Sequence, residues 1–251
     1  MTAFRGLILA AGKGSRFQSE TGEPFPKVLR PVLGRPLVSY VVDTMRSVGI
    51  DDITLIVGFQ AGIVELEMGS AFRYIHQPEQ HGSGHAVMCA KSAFGGFDGH
   101  LLIMCGDSPL FASDTISRLM REHVETGASI TLASAELDDP TGYGRIVRDD
   151  FGRIMGIVEE KCADPAQRAI REVNGGSYAF NSKWLFGNIE NMAINEAGEY
   201  NLTDMVRVAI AQGRTVSAVC CDSSELLGVN TPDQLKTIEE MLKGRQLHGN
   251  D

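Results

Sequence analysis

An excess of positive charge is the first feature that this sequence lacks. It has 23 Lys and Arg residues against 32 Asp and Glu residues, a formal net charge of −9, which argues against a general nucleic-acid binder. It also lacks an apolar run near the ~20 residues of a membrane span, and its N-terminal apolar run ends in a glycine loop, unlike a signal peptide. We therefore expect neither nucleic acid nor a membrane as a partner.

Paired cysteine motifs are absent as well. The count of five is odd, no two cysteines form a C-x-x-C pair, and the adjacent Cys220 and Cys221 are poorly placed for a mutual disulfide. We expect reduced thiols and a cytoplasmic protein. A length of 251 residues with 43% hydrophobic content is enough for one large α/β domain or two small ones.

The first loop of the chain has the composition of a polyphosphate site. Phe4 to Ala10 is short and almost all apolar, which is typical of a strand buried on both faces. It runs into a loop with two glycines, a lysine, a serine and an arginine at 12–16, where glycine lets backbone N–H groups approach a ligand. Residues 1–35 carry six basic and two acidic side chains, a local net charge of +4. An ordinary glycine turn with surface lysines is the alternative.

Two better-known phosphate loops do not match this one. Five residues separate Gly6 from Gly12 where the Walker loop has four, and Lys13 is followed by Gly14 instead of Ser or Thr. The dinucleotide fingerprint needs a third glycine where this chain has Phe17.

Strands and helices alternate along the first half of the chain. Helical spacing over 37–48 and 61–68 alternates with apolar strands at 53–57 and 72–75, which implies right-handed crossovers and a parallel sheet. After about residue 135 the pattern changes. A hairpin is predicted around the turn at 149–152, followed by a strand at 172–180. The fold class is therefore α/β, a Rossmann-like mixed sheet with an antiparallel second half.

A second loop, at 77–86, contains residue types suited to a nucleotide base. Gln77 and Gln80 each carry a donor and an acceptor that can hydrogen-bond a base edge, while Gly82 leaves room for a flat ring. A surface loop with an N-capped helix is the alternative. His81 and His85 could clamp a metal, but a solvated or hydrogen-bonded pair is favoured because no third ligand accompanies them.

Asp107 follows the buried strand predicted at 101–105. A carboxylate just past a parallel strand lies where open α/β sheets bind ligands, and Mg²⁺ takes hard oxygen ligands, often one or two from protein. Asp107 is therefore the first candidate for a metal ligand. A helix-capping role before the helix predicted at 112–124 is the alternative.

These motifs together resemble those of sugar-nucleotide pyrophosphorylases. Leu9-Ala10-Ala11-Gly12-Lys13-Gly14-Ser15-Arg16 with Pro26-Lys27-Val28-Leu29 is similar to their signature, most of all in the uridylyltransferase domain of bacterial N-acetylglucosamine-1-phosphate uridylyltransferases. The similarity continues to about Asn230. It implies a nucleotide-diphospho-sugar transferase fold in which Arg16 and Lys27, both expected on exposed loop backbone, neutralise phosphates. It implies nucleotide contacts from Leu9, Ala10, Ala11, Gly12, Gly14, Ser15, Gln77, Gln80, Gly82 and Ser83, and Mg²⁺ ligation by Asp107 and Asn230.

The resemblance also implies a sugar site. Gly144, Glu159 and Asn174 would hydrogen-bond the sugar phosphate, although Glu159 could instead be a solvated strand charge. Three positions depart from the pattern: Cys105 and Asn201 stand where Tyr is usual, and Gly175 where Thr is usual. The segment Phe17 to Phe25 is a longer loop than in the similar proteins.

The activity implied is uridylyl transfer from UTP to a sugar 1-phosphate, expected to be N-acetylglucosamine 1-phosphate, with release of pyrophosphate. Thymidylyl or cytidylyl transfer to another phosphate, or a non-catalytic nucleotide-sugar-binding paralogue, are the alternatives. We expect a nucleotidyltransferase domain over 1–243, with a nucleotide-binding half at about 1–135 and a sugar-binding half at about 136–230, then a flexible tail at 244–251. The hexapeptide-repeat acetyltransferase domain of the best-known relatives has no counterpart in this sequence, so acetyl transfer is not expected.

Overall fold

The computed structural model describes residues 3–22 and 24–248. Its strands are β1 (Phe4–Ala10), β2 (Pro31–Val32), β3 (Arg35–Pro36), β4 (Ile53–Val57), β5 (Arg73–His76), β6 (His100–Cys105), β7 (Ile130–Glu136), β8 (Arg145–Arg148), β9 (Ile154–Val158), β10 (Glu172–Asn181) and β11 (Val216–Cys220). Its α-helices are α1 (Ser15–Thr21), α2 (Leu37–Ser47), α3 (Ala61–Met68), α4 (Gly82–Cys89), α5 (Lys91–Phe94), α6 (Ser113–Thr126), α7 (Pro165–Arg168), α8 (Ser182–Asn188), α9 (Asp204–Ala211) and α10 (Pro232–His248). Short 3₁₀ helices lie at Lys27–Leu29, Glu160–Cys162, Ile189–Asn191 and Ser223–Leu226.

One mixed sheet forms the centre of the molecule. Its strand order is β11-β7-β10-β6-β1-β4-β5. Strand β1 pairs in parallel with β4 and β6, β4 pairs in parallel with β5, and β7 pairs in parallel with β11. Strand β10 is antiparallel to both β6 and β7, and the β8–β9 hairpin attaches to it at the Val173–Arg145 pair. The predicted change from parallel to mixed pairing is therefore confirmed.

Both faces of the sheet are buried. In β1, the adjacent Leu7 and Ile8 point to opposite faces, belong to different core clusters and are both 0% exposed. A strand covered on both sides can be apolar at every position, which is why its sequence does not alternate. Since the carboxyl ends of the parallel strands share one edge, the loops after β1, β5 and β6 lie side by side there.

Two predicted segments differ in the structure. The segment Phe17 to Phe25 was expected to be a loop, but α1 covers Ser15–Thr21, and Phe17 is buried in a small cluster with Ile238 and Leu242 of α10. Helix α1 ends because Gly22 adopts a left-handed conformation (φ +72°). Glu23 of the same segment lies outside the described residues.

The C-terminal helix is longer than predicted. We expected it to end at Lys243 and to be followed by a flexible tail, but α10 continues through His248. Burial of Ile238 and Leu242 holds the helix against Leu37 and Tyr40, so its polar last turns extend a helix that is already anchored. Residues 249–251 of the predicted tail lie outside the described part of the chain. Within residues 3–22 and 24–248, no helix has both the length and the apolar character that crossing a bilayer requires.

Candidate active site

A cavity of about 400 Å³ opens at the carboxyl edge of the sheet. The loops after β1, β5 and β6 and the start of α4 surround it. Lys27 and Asp107 belong to its lining, and so do nine of the ten predicted nucleotide-contacting residues. These nine are Leu9, Ala11, Gly12, Gly14, Ser15, Gln77, Gln80, Gly82 and Ser83. Ala10 is 3% exposed and lies buried beside this nucleotide cavity without lining it.

The first loop is shaped by one glycine. Gly14 has a left-handed backbone (φ +62°), and a Cβ placed there would lie 3.0 Å from the Cβ of Lys27. Only glycine combines this backbone with such a close approach at little cost. The turn at Gly14 thus places Lys13, Ser15 and Lys27 together in the lining of the nucleotide cavity.

The second loop holds its polar side chains in fixed orientations. Gln77 is 3% exposed, and its Nε2 donates to the Gly82 carbonyl at 3.1 Å. Gln80 Nε2 donates to the Gln77 carbonyl at 3.2 Å, and the Ser83 hydroxyl accepts a hydrogen bond from the Leu202 backbone N–H at 3.0 Å. These bonds leave the side-chain oxygen Oε1 of Gln77 as an acceptor and the Ser83 hydroxyl hydrogen as a donor.

The nearby histidines are hydrogen-bonded, as favoured from the sequence. His81 Nε2 lies 2.6 Å from the Glu79 carboxylate, and His85 Nδ1 lies 2.9 Å from the Glu79 carbonyl oxygen. No group of three or more His, Cys, Asp or Glu side chains arranged to hold a metal occurs among the described residues. A metal held entirely by such side chains is therefore not built into this part of the fold.

Four charged or amide side chains converge beside the nucleotide cavity. The Lys27 ammonium forms an ion pair with Asp107 and donates to the Asn230 side-chain oxygen at 3.2 Å. Arg16 Nη2 lies 3.4 Å from that same oxygen. The Val229 N–H donates to the Asp107 carbonyl at 3.0 Å, which fixes the segment before α10 against the end of β6. The structure thus brings together the predicted phosphate and metal residues from positions as far apart as 16 and 230.

The backbone around the two cations differs from the expectation. Both were expected on exposed loops, but Arg16 lies in α1 and Lys27 opens a 3₁₀ helix. The Lys27 side chain is only 13% exposed. A charge held by helical backbone and partial burial is more preorganised than one on a mobile loop, because it loses less conformational freedom when it contacts a ligand.

Helix capping does not account for Asp107 or Asn230. Helix α6 begins after Ala112, whose N–H donates to the Glu225 carboxylate at 2.8 Å, so Glu225 takes the role that Asp107 might have had. At the start of α10 the Thr231 hydroxyl accepts from the Gln234 N–H at 3.2 Å. The Asp107 carboxylate and the Asn230 amide oxygen are therefore directed to Lys27 and Arg16.

A second cavity, of about 290 Å³, meets the first at Asp107. Gly144 and Asn174 line it together with Arg16 and Asn230. The Asn174 N–H donates to the Gly144 carbonyl at 2.9 Å, and its side-chain Nδ2 donates to the Tyr178 hydroxyl at 2.7 Å. The pairing of β10 with β7 shifts register between Asn174 and Tyr178, and such a bulge re-aims side chains next to it. Asn174 is thus turned toward the cavity by a local irregularity.

Glu159 lies beside the second cavity. A Cβ built on Gly144 would lie 3.6 Å from each of its carboxylate oxygens, and the Thr203 hydroxyl donates to its Oε1 at 2.8 Å. A solvated strand charge is therefore not an adequate description of Glu159. Gly175 is tightly enclosed, since a Cβ there would lie 3.0 Å from the Ala133 carbonyl oxygen. A Thr at this position would therefore require its neighbours to shift.

Five residues that line the nucleotide cavity were not among the predicted site residues: the apolar Val28 and Ala86, and the polar Lys13, Cys105 and Glu199. Burial raises the pKa of the Cys105 thiol to about 12, with Asp107 as a second cause, so this cysteine stays protonated and is no thiolate nucleophile. The basic character of Lys13 was visible in the sequence. Glu199 was assigned no role from the sequence, because only the tertiary fold brings it next to the loop at 77–86.

The oxygens of Asp107 and Asn230 suit a divalent cation. They already share one positive group, the Lys27 ammonium, and carboxylate and amide oxygens are hard ligands of the kind Mg²⁺ prefers. Two protein oxygens leave the remaining positions of an octahedral ion to phosphate and water. The residues present therefore fit a magnesium ion that is bound jointly with a polyphosphate.

Curated proteins similar to this chain include two named bifunctional protein GlmU. The protein of Pelotomaculum thermopropionicum is 40% identical over 243 residues, 96% of this chain and 52% of the relative. That of Halalkalibacterium halodurans is 42% identical over 241 residues, 95% of this chain and 52% of the relative. The chain thus spans about half the length of these relatives.

A solved structure is similar in fold. It is a Bacillus anthracis protein assigned as a glucose-1-phosphate thymidylyltransferase, in complex with sucrose, with a TM-score of 0.77, 21% sequence identity and coverage of 95% of each chain. At this identity the likeness concerns the fold, and it confirms the mixed α/β architecture. The family model described as nucleotidyl transferase matches residues 5–232. The chain therefore belongs to the nucleotidyl transferase family.

Proposed function

We propose that this protein transfers a uridylyl group from UTP to N-acetylglucosamine 1-phosphate and releases pyrophosphate. The observation that carries the proposal is the convergence of Arg16, Lys27, Asp107 and Asn230 where the two cavities meet. A nucleoside triphosphate in the first cavity and a sugar phosphate in the second would face each other across these four side chains. We further propose that the halves at about 1–135 and 136–230 supply the nucleotide and the sugar contacts respectively.

The reaction needs no covalent intermediate on the enzyme. A phosphate oxygen of the sugar 1-phosphate attacks the α-phosphorus of the triphosphate, the bond from that phosphorus to the bridging oxygen breaks, and the electron pair leaves with pyrophosphate. Arg16 and Lys27 would offset the negative charge of the phosphates that are brought together. Catalysis then consists of positioning and of charge stabilisation by preorganised groups.

We propose that Asp107 and Asn230 hold a Mg²⁺ ion with the substrate phosphates. When bound, the ion supplies charge neutralisation and orientation of the phosphate oxygens. Lys27 would then exchange its contacts with these two side chains for contacts with phosphate oxygens. The exchange is short in range, because the ammonium already lies on the wall of the nucleotide cavity.

The loop at 77–86, called the base loop from here on, favours uracil. The side-chain oxygen Oε1 of Gln77 suits the N3–H of a uracil ring, and the hydroxyl hydrogen of Ser83 suits one of its carbonyl oxygens. Cytosine carries an acceptor at N3, which would face the Gln77 oxygen unfavourably. Thymine has the same hydrogen-bonding groups as uracil, so a thymidylyltransferase is the alternative with the same chemistry.

The sugar assignment depends on Gly144, Glu159 and Asn174. An acetamido group needs a hydrogen-bond partner, and the amide of Asn174 offers both polarities at the wall of the second cavity. If the site hydrogen-bonds that group, glucose 1-phosphate leaves polar atoms unpaired and reacts less well. A non-catalytic nucleotide-sugar binder is the rival of another class, and the assembled cluster of Arg16, Lys27, Asp107 and Asn230 argues against it.

A cytoplasmic location is part of the proposal. All five cysteines are free thiols, and three of them are at least partly shielded from solvent. Unpaired cysteines are the rule in reducing compartments, where activated sugar nucleotides would also be retained.

The test is a grid of nucleoside triphosphates against sugar 1-phosphates with Mg²⁺, read by pyrophosphate release. We expect the highest kcat/KM for UTP with N-acetylglucosamine 1-phosphate. Equal values for glucose 1-phosphate would overturn the sugar assignment alone, and a preference for dTTP or CTP would overturn the base assignment. Binding of UTP without pyrophosphate release for any pair would favour the non-catalytic rival.

A further inference from the structure

The segment 200–203, which precedes α9, is hydrogen-bonded to the base loop. The Gly84 N–H donates to the Tyr200 carbonyl at 2.7 Å, the Tyr200 N–H donates to the His81 carbonyl at 2.8 Å, and the Leu202 N–H donates to the Ser83 hydroxyl at 3.0 Å. Three bonds over three residues leave this segment little freedom to move relative to 81–84. Thr203, the last residue of this segment, is therefore held in a fixed position relative to the base loop.

At the end of this segment, Thr203 forms an unusual hydrogen bond. It is the N-cap residue of α9 and is 9% exposed, yet its side chain makes no capping bond to the helix. An N-cap threonine with an extended backbone accepts from the N–H of the first turn, but Thr203 has a helical backbone (φ −58°, ψ −26°), and its hydroxyl bonds another partner. Here the hydroxyl instead donates to Glu159 Oε1 at 2.8 Å.

The bond limits the freedom of the Glu159 carboxylate. Glu159 follows the last residue of β9 and precedes the 3₁₀ helix Glu160–Cys162, so its long side chain would otherwise sample several rotamers. With Oε1 accepting from Thr203, the carboxylate stays beside Gly144. Oε2 then remains as an acceptor beside Gly144, which lines the second cavity.

We propose that Thr203 is a positioning residue that orients Glu159 for the sugar phosphate. The inference rests on the proposed function, since it assigns Glu159 to the sugar. Because the segment 200–203 is also bonded to the base loop, the same short stretch sets the geometry of both substrate sites. The hydroxyl acts on the substrate only through the carboxylate that it holds.

The experiment compares Thr203→Val, which keeps the shape and removes the hydroxyl, with Thr203→Ser, which keeps the hydroxyl. Thr203→Val should raise the KM for N-acetylglucosamine 1-phosphate by about 3- to 10-fold, the cost of ordering one freed side chain, with kcat and the KM for UTP changed less than about twofold. Thr203→Ser should restore the wild-type KM. Thr131→Val is the matched control, because Thr131 is also a buried threonine (0% exposed, against 9% for Thr203) and its hydroxyl lies at hydrogen-bond distance from His123, outside both cavities.

A double-mutant cycle with Glu159→Ala separates the possible failures. If Thr203 acts through Glu159, Thr203→Val should add less than about 1.5-fold to the KM of Glu159→Ala, since the interaction has already been removed. A raised sugar KM in Glu159→Ala with a wild-type KM in Thr203→Val would overturn the inference and leave the proposed function standing. A wild-type sugar KM in Glu159→Ala would overturn the sugar role of Glu159 and the inference with it. Equal rises in the KM values for UTP and sugar, without rescue by Thr203→Ser, would show a merely structural role and also overturn the inference.

Discussion

Substitution of Gly82 by alanine should destabilise the protein far more than the same change at a glycine with a similar backbone but open surroundings. Gly82 has a left-handed backbone (φ +91°), and a Cβ there would lie 2.5 Å from the Tyr200 carbonyl oxygen. That oxygen cannot move away freely, because it accepts from the Gly84 N–H and its residue donates to His81. Gly82→Ala therefore combines an unfavourable conformation with a collision against fixed backbone.

The magnitude follows from these two contributions. The left-handed backbone costs an L-residue about 1–2 kcal/mol, and overpacking against neighbours that cannot relax costs about 1–3 kcal/mol. We expect Gly82→Ala to lower the free energy of unfolding by about 2–5 kcal/mol. Gly49→Ala is the matched control: Gly49 has nearly the same φ (+83°) but no atom within 4 Å of the added Cβ, so it should cost only about 1–2 kcal/mol.

Urea denaturation of the two variants measures the difference, provided that the m value stays unchanged. A KM for UTP measured on the folded protein adds a second readout, and it should rise in Gly82→Ala but not in Gly49→Ala. Equal losses of stability in the two variants would refute the contact with Tyr200. A normal UTP KM in a destabilised Gly82→Ala protein would refute the role of this loop in nucleotide binding.

Three further outcomes are expected. Arg16→Ala and Lys27→Ala should each lower kcat by about 10²–10³, as loss of one preorganised charge commonly does, and near-normal turnover in both would remove these cations from the active site. Activity should disappear with a chelator while the Tm without nucleotide hardly changes, and Asp107→Ala should need far more Mg²⁺; full activity of that variant at low Mg²⁺ would disprove the metal role. Burial, with a smaller contribution from His100, lowers the pKa of His123 to about 3, whereas an unfolded histidine titrates near ~6.5. Since the unfolded state binds the extra proton, the free energy of unfolding should fall as pH drops below ~6.5, by up to about 1.4 kcal/mol per pH unit, and less steeply in His123→Gln; equal slopes in urea titrations would contradict this.

Much of the fold could be predicted because local sequence carries it. The run Phe4 to Ala10 is apolar except for Arg5, and β1 is indeed covered on both faces. The alternation of strand and helix predicted the parallel strands, and the turn at 149–152 predicted the β8–β9 hairpin. Each of these signals lies within a dozen residues of chain.

Features that depend on distant partners could not be predicted. Phe17 stabilises α1 by packing with residues of α10, which lie more than 200 positions later in the chain. The residues next to Phe17 in the sequence do not predict a helix. Glu225 accepts a hydrogen bond at the start of α6 from a residue 113 positions earlier. Thr203 donates to Glu159, which lies 44 positions earlier in the chain. Contacts of this kind are settled by tertiary packing, which overrides local propensity.

The site shows the same division. Asp107 was identified because a charge placed just past a buried strand carries a local signature, whereas the roles of Arg16 and Lys27 entered through the resemblance of their motifs. Their partner Asn230 also entered through the resemblance, and Glu199 was assigned no role from the sequence. The relation between the two cavities follows only from the structure, where Asp107 belongs to the lining of both.

The most direct test of the central claim is the product balance of the wild-type protein with UTP, N-acetylglucosamine 1-phosphate and Mg²⁺, measured by chromatography. Attack of the sugar phosphate on the α-phosphorus predicts UDP-N-acetylglucosamine and pyrophosphate in equal amounts, with neither formed when the sugar phosphate is omitted. Pyrophosphate released together with UMP in the absence of sugar, or UTP recovered intact from a complex that binds it, would contradict the account.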